Sequence, residues 1–241
     1  YLNDYLDDYL DDYLIYMIYM IYLNGYSNNL ILDYIATYIN LYYNMLYISL
    51  AMGLIGLSLI RYFVGDMSFI IMISFLMGLI IIFRYLILVI KNILEKKYIN
   101  TPSVIAHTGL GLLILSISAN SILSSEKVFN MKPNEVRKFE NIRIEFNDLE
   151  LLNNSNHDSI KATFALDHNG KSFYLSPEKR KYFARGQITS ETAIKIMPIR
   201  DIYLTIGEQL EGGQWVVNVQ LNYFIRFIWL SAAMMAFSGL L

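Results

Sequence analysis

Apolar runs broken by short polar stretches occupy the chain up to about residue 123, where the pattern changes to apolar-polar alternation. The run over 45–60 carries Ala51, Gly53 and Gly56, which let helices approach closely, and it ends on Arg61 and Tyr62. A second run covers 68–90, with Arg84 near enough to its end to snorkel to the interface. A third covers 102–120, and a fourth begins near Tyr223 with Ala232, Ala236 and Gly239 on one small-residue face. Runs of roughly 20 apolar residues are what a helix needs to cross a bilayer core. The expected fold is therefore an α-helical membrane protein with about four transmembrane spans.

Before residue 45 the pattern is different. Tyr1, Tyr5, Tyr9 and Tyr13 recur at helical spacing with Leu2, Leu6, Leu10 and Leu14 beside them, while Asp4, Asp8 and Asp12 stack and repel. The acidic positions read as a solvated face rather than a metal site. The apolar segment 13–23 is too short to span and fits an interfacial helix, broken by Asn24-Gly25. Over 29–44, Asp33, Asn40 and Asn44 interrupt the apolar positions, which predicts an amphipathic helix lying on the membrane or on a partner.

Past residue 124 the period falls to two. Ile142, Ile144 and Phe146 alternate with polar neighbours, as do Ile160, Ala162, Phe164 and Leu166, and again Trp215, Val217, Val219 and Leu221. Asn169-Gly170 predicts a tight hairpin, and Gly212-Gly213 another. These features predict a small β-rich extramembrane domain, a barrel or a sandwich, tethered at both ends between the last two spans. The chain thus divides into a low-complexity and amphipathic segment 1–44, a three-span region 45–123, a β-rich domain 124–221 and a final transmembrane helix 222–241. Lys91, Lys96 and Lys97 crowd one short connection, which by charge bias faces the cytoplasm or the mitochondrial matrix. The next span then carries the β-rich domain to the outward side, the intermembrane space.

Composition narrows the class further. With 55% hydrophobic and 17% charged residues and a net charge of -2, the chain reads as an integral membrane protein with no basic excess for nucleic acid. It has no cysteine, which excludes disulfides, thiolate metal sites and a cysteine nucleophile. Twenty tyrosines and only 4 prolines, with abundant Ile, Asn and Lys, are the usage of A/T-rich codons and point to a mitochondrial gene. Tyr1 at the start and Leu241 inside an apolar run point to a processed or partial product.

Candidate chemistry centres on His107, the one ionisable side chain of the 102–120 run. At helical spacing His107, Gly111, Ile114, Ser118 and Ser121 share a face, which predicts a polar, small-residue face turned to a bundle interior. An imidazole there either ligates a metal, haem iron in particular, or hydrogen-bonds a neighbouring helix. His157 in a polar loop and His168 beside a turn read as surface residues.

Pro177-Glu178-Lys179-Arg180-Lys181-Tyr182 is followed in order by Thr189, Glu191, Ala193 and Ile194, by Asp201-Ile202-Tyr203, and by Ile206-Gly207-Glu208. With Tyr223-Phe224-Ile225-Arg226-Phe227-Ile228-Trp229 and the His-x-Gly at His107, this set resembles the C-terminal part of the CcmF family. That family supplies the large haem-lyase subunit of multi-subunit cytochrome c maturation, and the resemblance covers about 101–241. It implies a resident haem b held by two transmembrane histidines, with His107 similar to the second and so a metal ligand to haem iron. Arg226, at the outer end of the last span, would meet a haem propionate or else snorkel.

Where the chain departs from the family, the resemblance implies a divided enzyme. Its only tryptophans are Trp215 and Trp229, so the family's tryptophan-rich segment is missing, and so are the other family histidines. A partner chain, another haem-lyase fragment, would supply that segment and the second histidine, and apocytochrome c would bring the thiols. Residues 178–181 and Asp201 offer a docking surface, or an ion-paired strand edge. Two functions follow. One is a membrane subunit of a cytochrome c haem lyase in the mitochondrial inner membrane, an enzyme only with its partners. The alternative is a non-catalytic structural subunit of a respiratory-chain complex that keeps the fold.

Overall fold

A computed structural model describes residues 28–184 and 186–241, with residues 28–39, 41 and 42 described by backbone alone. The Tyr/Leu/Asp stripe and the interfacial helix expected over 13–23 lie outside the described residues. Among the described residues four helices follow in chain order: α1 (Asn28–Val64), α2 (Phe69–Leu94), α3 (Thr101–Leu123) and α4 (Ile225–Ser238). Among the described residues three stretches are long and apolar enough to cross a membrane: Tyr43–Val64, Phe69–Leu94 and Thr101–Leu123.

Two helices differ from the sequence expectation. The amphipathic segment and the first span are one uninterrupted helix of 37 residues, because Asp33, Asn40 and Asn44 change the polarity of a face without breaking the backbone as glycine or proline would. α4 is apolar but has 14 residues, about 21 Å at 1.5 Å per residue, against a hydrocarbon core of about 30 Å. It ends at Gly239, a poor helix former.

Consecutive helices pack through glycine. A Cβ at Gly53 of α1 would lie 3.0 Å from Ile80 Cγ1 of α2, so the two backbones approach as only a missing side chain allows. Gly78 of α2 and Gly111 of α3 face one another, each 3.2 Å from the other's carbonyl oxygen when given a Cβ. On its other side α3 meets α4, where Gly109 lies under Ser231, Met234 and Met235. Helix α3 is therefore lined by neighbours on two sides. Its start is fixed by Asn100, whose side chain accepts the Ser103 N–H at 3.1 Å, with Pro102 in the first turn.

The β domain is a two-sheet sandwich. One sheet is antiparallel in the order β1-β10-β9-β8, from β1 (Ser125–Met131), β8 (Ala193–Lys195), β9 (Arg200–Gln209) and β10 (Trp215–Tyr223). The other runs β2-β3-β4-β6-β7, from β2 (Val136–Phe139), β3 (Ile142–Asn153), β4 (His157–His168), β6 (Glu178–Tyr182) and β7 (Ile188–Glu191), with β5 (Lys171–Leu175) also paired to β4. The alternating positions close the core between them: Ile142, Ile144, Phe146, Ala162, Phe164 and Leu166 from one sheet meet Ile202, Leu204, Ile206, Val217, Val219 and Leu221 from the other, all at 0% exposure. Phe146 and Phe164 stack across β3 and β4 with centroids 4.5 Å apart. The hairpin at Asn169-Gly170 has φ of 51° and 74°, the left-handed pair that a two-residue turn requires.

Sandwich and helices are joined by short polar links. Asn120 Nδ2 donates to the Tyr223 carbonyl at 2.7 Å, and Tyr223 N–H donates to Ser124 Oγ at 3.1 Å. The end of α3 and the beginning of α4 therefore lie side by side at the base of the sandwich, and the two helices run antiparallel.

Candidate functional site

Its position on α3 sets what His107 can do. It stands near the helix start, and the sandwich follows the helix end, so the imidazole lies about 24 Å along the axis from the sandwich. The ring is exposed on the helix surface. One turn back, the Ser103 carbonyl oxygen lies 2.8 Å from Nδ1, with Ser103 Oγ at 3.5 Å. A carbonyl only accepts, so Nδ1 carries the proton, and in a neutral ring Nε2 keeps its lone pair. That is the tautomer in which a metal-ligating histidine is held when its other nitrogen donates to backbone. Tyr85 of α2 stacks on the ring at 4.5 Å and 18° between planes, fixing its orientation.

The face drawn from helical spacing is divided in the structure. Gly111 is buried against α2, and Ser118 is buried with its hydroxyl on the Ile114 carbonyl, whereas His107 and Ser121 are exposed. The reason is the neighbour order: with α2 on one side of α3 and α4 on another, the buried positions do not fall on a single stripe. The imidazole thus opens outward from the helices, not into their interior.

A single imidazole is the kind of donor that haem iron would take from this chain. His107 offers one imidazole nitrogen, Nε2, at an exposed helix position. No cluster of three or more His, Cys, Asp or Glu suited to a metal exists among the described residues. The chain's other two histidines are in the sandwich, His157 bonded to Asn154 and Asn156 and His168 to Asn141 and Arg200. Any further histidine for haem iron would come from another chain or segment.

Arg226 is not brought to His107. It opens α4 at the sandwich end, beside α3 positions about 16 Å along the axis from His107, and its Nε lies 3.7 Å from Oδ1 of Asp201. The guanidinium is half exposed, while the Asp201 side chain is only 8% exposed and also accepts the Met197 N–H at 3.0 Å. Asp201 is therefore a buried junction residue rather than part of a docking surface. It also bears on Tyr203, whose phenol pKa is pushed up first by burial and then by the Asp201 carboxylate.

Residues 178–181 lie in β6, which is not a sheet edge but an interior strand between β4 and β7, and their charged side chains are ion-paired. Lys179 Nζ meets Glu208 at 2.5 Å across the two sheets, and Arg180 Nε meets Glu178 at 2.9 Å with Glu191 at 3.9 Å. Hydrogen bonds to Tyr182 and then Glu178 raise the Arg180 pKa further. Sequence reasoning missed the cluster at the base of the sandwich. There Arg200, only 13% exposed, reaches Tyr223 Oη at 3.0 Å, Glu140 at 3.4 Å and His168 Nε2 at 3.0 Å. Its members come from four strands or turns, so no local spacing marked them.

Residues 122–222 match the family described as the CcmF C-terminal beta-sandwich. The cytochrome c-type biogenesis protein CcmF of Escherichia coli (strain K12) is 34% identical over 139 residues, covering 57% of this chain and 22% of that protein. The CcmF of Pseudomonas fluorescens is 32% identical over 138 residues, covering 57% and 21%.

The C-terminal portion of this chain is similar to CcmF proteins.

A solved structure titled cytochrome c heme lyase CcmF superposes with a TM-score of 0.65 at 13% identity, over 81% of this chain and 33% of that one, and so shares the fold across helices and sandwich. The chain spans about a fifth of the length of the CcmF relatives it matches.

Proposed function

We propose that this chain is the C-terminal membrane subunit of a divided cytochrome c haem lyase, in which His107 is one axial ligand of a haem b shared with a partner chain. The observation that carries the reading is the imidazole itself: Nδ1 fixed to the Ser103 carbonyl at 2.8 Å, Nε2 free, and the ring held flat on Tyr85 at an exposed helix surface. When bound, haem supplies redox chemistry that a side chain cannot. The chain's own part is to hold the tautomer through Ser103 and the ring plane through Tyr85. The partner would supply the second histidine and the tryptophan-rich segment, and apocytochrome c the thiols, since this chain has no cysteine.

Codon-biased composition supports a mitochondrial inner-membrane location, with the sandwich in the intermembrane space. In that orientation His107 lies in the inward half of the membrane. Arg226 then serves the junction through Asp201 rather than a propionate of this haem.

The second reading is a structural subunit without chemistry. The Tyr85 stack favours it, because an aromatic contact and one backbone hydrogen bond already satisfy much of a neutral imidazole. The two readings separate in cells carrying His107→Ala. The haem-lyase reading expects holocytochrome c to fall while the subunit still accumulates; undiminished holocytochrome c at normal subunit levels contradicts it.

A further inference from the structure

Three turns close the sandwich at the end that faces the helices, and they differ in character. The turn from β2 to β3 exposes Glu140 and Asn141, and the turn from β4 to β5 exposes Asn169, Gly170 and Lys171. Both are polar, as loops in water are. The turn from β8 to β9, residues 196–199, is Ile-Met-Pro-Ile, with Ile196 58% and Ile199 57% exposed and Pro198 exposed between them. Ile194, on the strand just before it, is exposed as well.

The height of this apolar turn is fixed by its bonds. Phe224 N–H, at the start of α4, donates to the Ile199 carbonyl at 2.8 Å. Asp201 holds the turn through the Met197 N–H at 3.0 Å and holds α4 through Arg226 at 3.7 Å. Tyr223, the residue before Phe224, is bonded in turn to Asn120 and Ser124 at the end of α3. The turn therefore sits at the level where α3, a helix apolar enough to span, leaves the membrane. Trp229, 73% exposed on the next turn of α4, marks the same zone, since tryptophan concentrates at membrane interfaces.

We propose that residues 196–199 insert into the bilayer surface, with Ile196 and Ile199 among the upper acyl chains, so that the sandwich rests on lipid at this third point besides its two helix tethers. An exposed apolar turn in water has no compensation, whereas at this level the neighbouring medium is hydrocarbon. The polar turns at 140–141 and 169–171 mark sides of the base that stay among headgroups and water.

Because the chain has no cysteine, the test needs no background substitutions. Ile196→Cys, Ile199→Cys and, as controls, Ile188→Cys on the membrane-distal β7 and Lys171→Cys on a polar turn are labelled with a nitrobenzoxadiazole fluorophore. The full-length chain is then placed in phosphatidylcholine nanodiscs. Blue-shifted emission at 196 and 199, quenching there by spin labels on the acyl chains, and iodide quenching only at 188 and 171 are the expected results. Iodide quenching at 196 and 199 equal to that at 188 overturns the proposal. Protection of 196 and 199 from both quenchers also overturns it, by showing that protein covers the turn.

Discussion

The sandwich and the helical layer bury opposite kinds of residue. Among the described residues, all but two of the buried hydrophobic side chains, Met45 and Phe75, are in the sandwich, where they meet face to face between sheets. The helices bury Gly78, Gly109 and Gly111 together with Ser49, Ser116, Ser118 and Ser231, and turn Leu54, Ile55, Phe69, Ile70 and Trp229 outward. Their serines are satisfied within the helix, Ser116 on Leu112 and Ser118 on Ile114. One region is organised by removal of carbon from water, the other by close approach of small residues with lipid or a partner on the outside. An exposed residue thus means different things in each. On the sandwich away from the 196–199 turn it faces water, whereas on α3 an exposed His107 faces lipid or whatever a partner places there.

The largest expected effect is in the sandwich. Phe164→Ala removes a fully buried ring stacked on Phe146 and should cost about 3–5 kcal/mol. In a Trp229→Phe background, Trp215 reports the sandwich alone, and its urea midpoint should fall while helical circular dichroism persists. Simultaneous loss of both signals would show that the regions fold as one unit. In the helical layer, Gly111→Leu places a side chain where a Cβ already meets Ile82 at 2.8 Å, for an expected cost of about 1–3 kcal/mol. Its thermal melt should shift at 222 nm with the Trp215 midpoint unchanged.

The junction comes next. Asp201→Ala removes the acceptor of the Met197 N–H and the partner of a half-exposed Arg226, about 1 kcal/mol in all. Amide exchange should quicken at 196–200 and 224–227 and stay slow at Leu204 and Val219; uniform quickening would contradict a local clamp. The smallest effect is alkaline. Tyr203 is raised above its unfolded value, so its contribution is complete below the ordinary phenol pKa near 10 and is lost as pH climbs toward the folded value. The urea midpoint of the sandwich should fall above about pH 10, and Tyr203→Phe should flatten that fall.

Much of this arrangement was legible in the chain. Alternation marked three strands whose inward residues are the core, and Asn169-Gly170 marked its hairpin. Strand β6 was not legible as a strand, because Glu178, Lys179, Arg180 and Lys181 are all polar and leave no alternation, while its pairing to β4 and β7 is tertiary. The bulge between Phe146 and Asp148 left no mark in the alternation either. At the candidate site, a lone imidazole in an apolar run identified His107. Its outward direction depends on which helices flank α3, a matter of packing order that periodicity does not contain. Arg226 was legible as an interfacial cation, but its pairing with Asp201 is tertiary.

The proposed ligation sets Nε2 of His107 on haem iron. The direct measurement is the reduced absorption spectrum of the complex purified with its partner chain from cells carrying wild type, His107→Ala or His107→Gly. The expected results are a b-type haem signal in the wild type, its loss in His107→Ala with the complex intact, and its return in His107→Gly on adding imidazole. An unchanged signal in His107→Ala would contradict it.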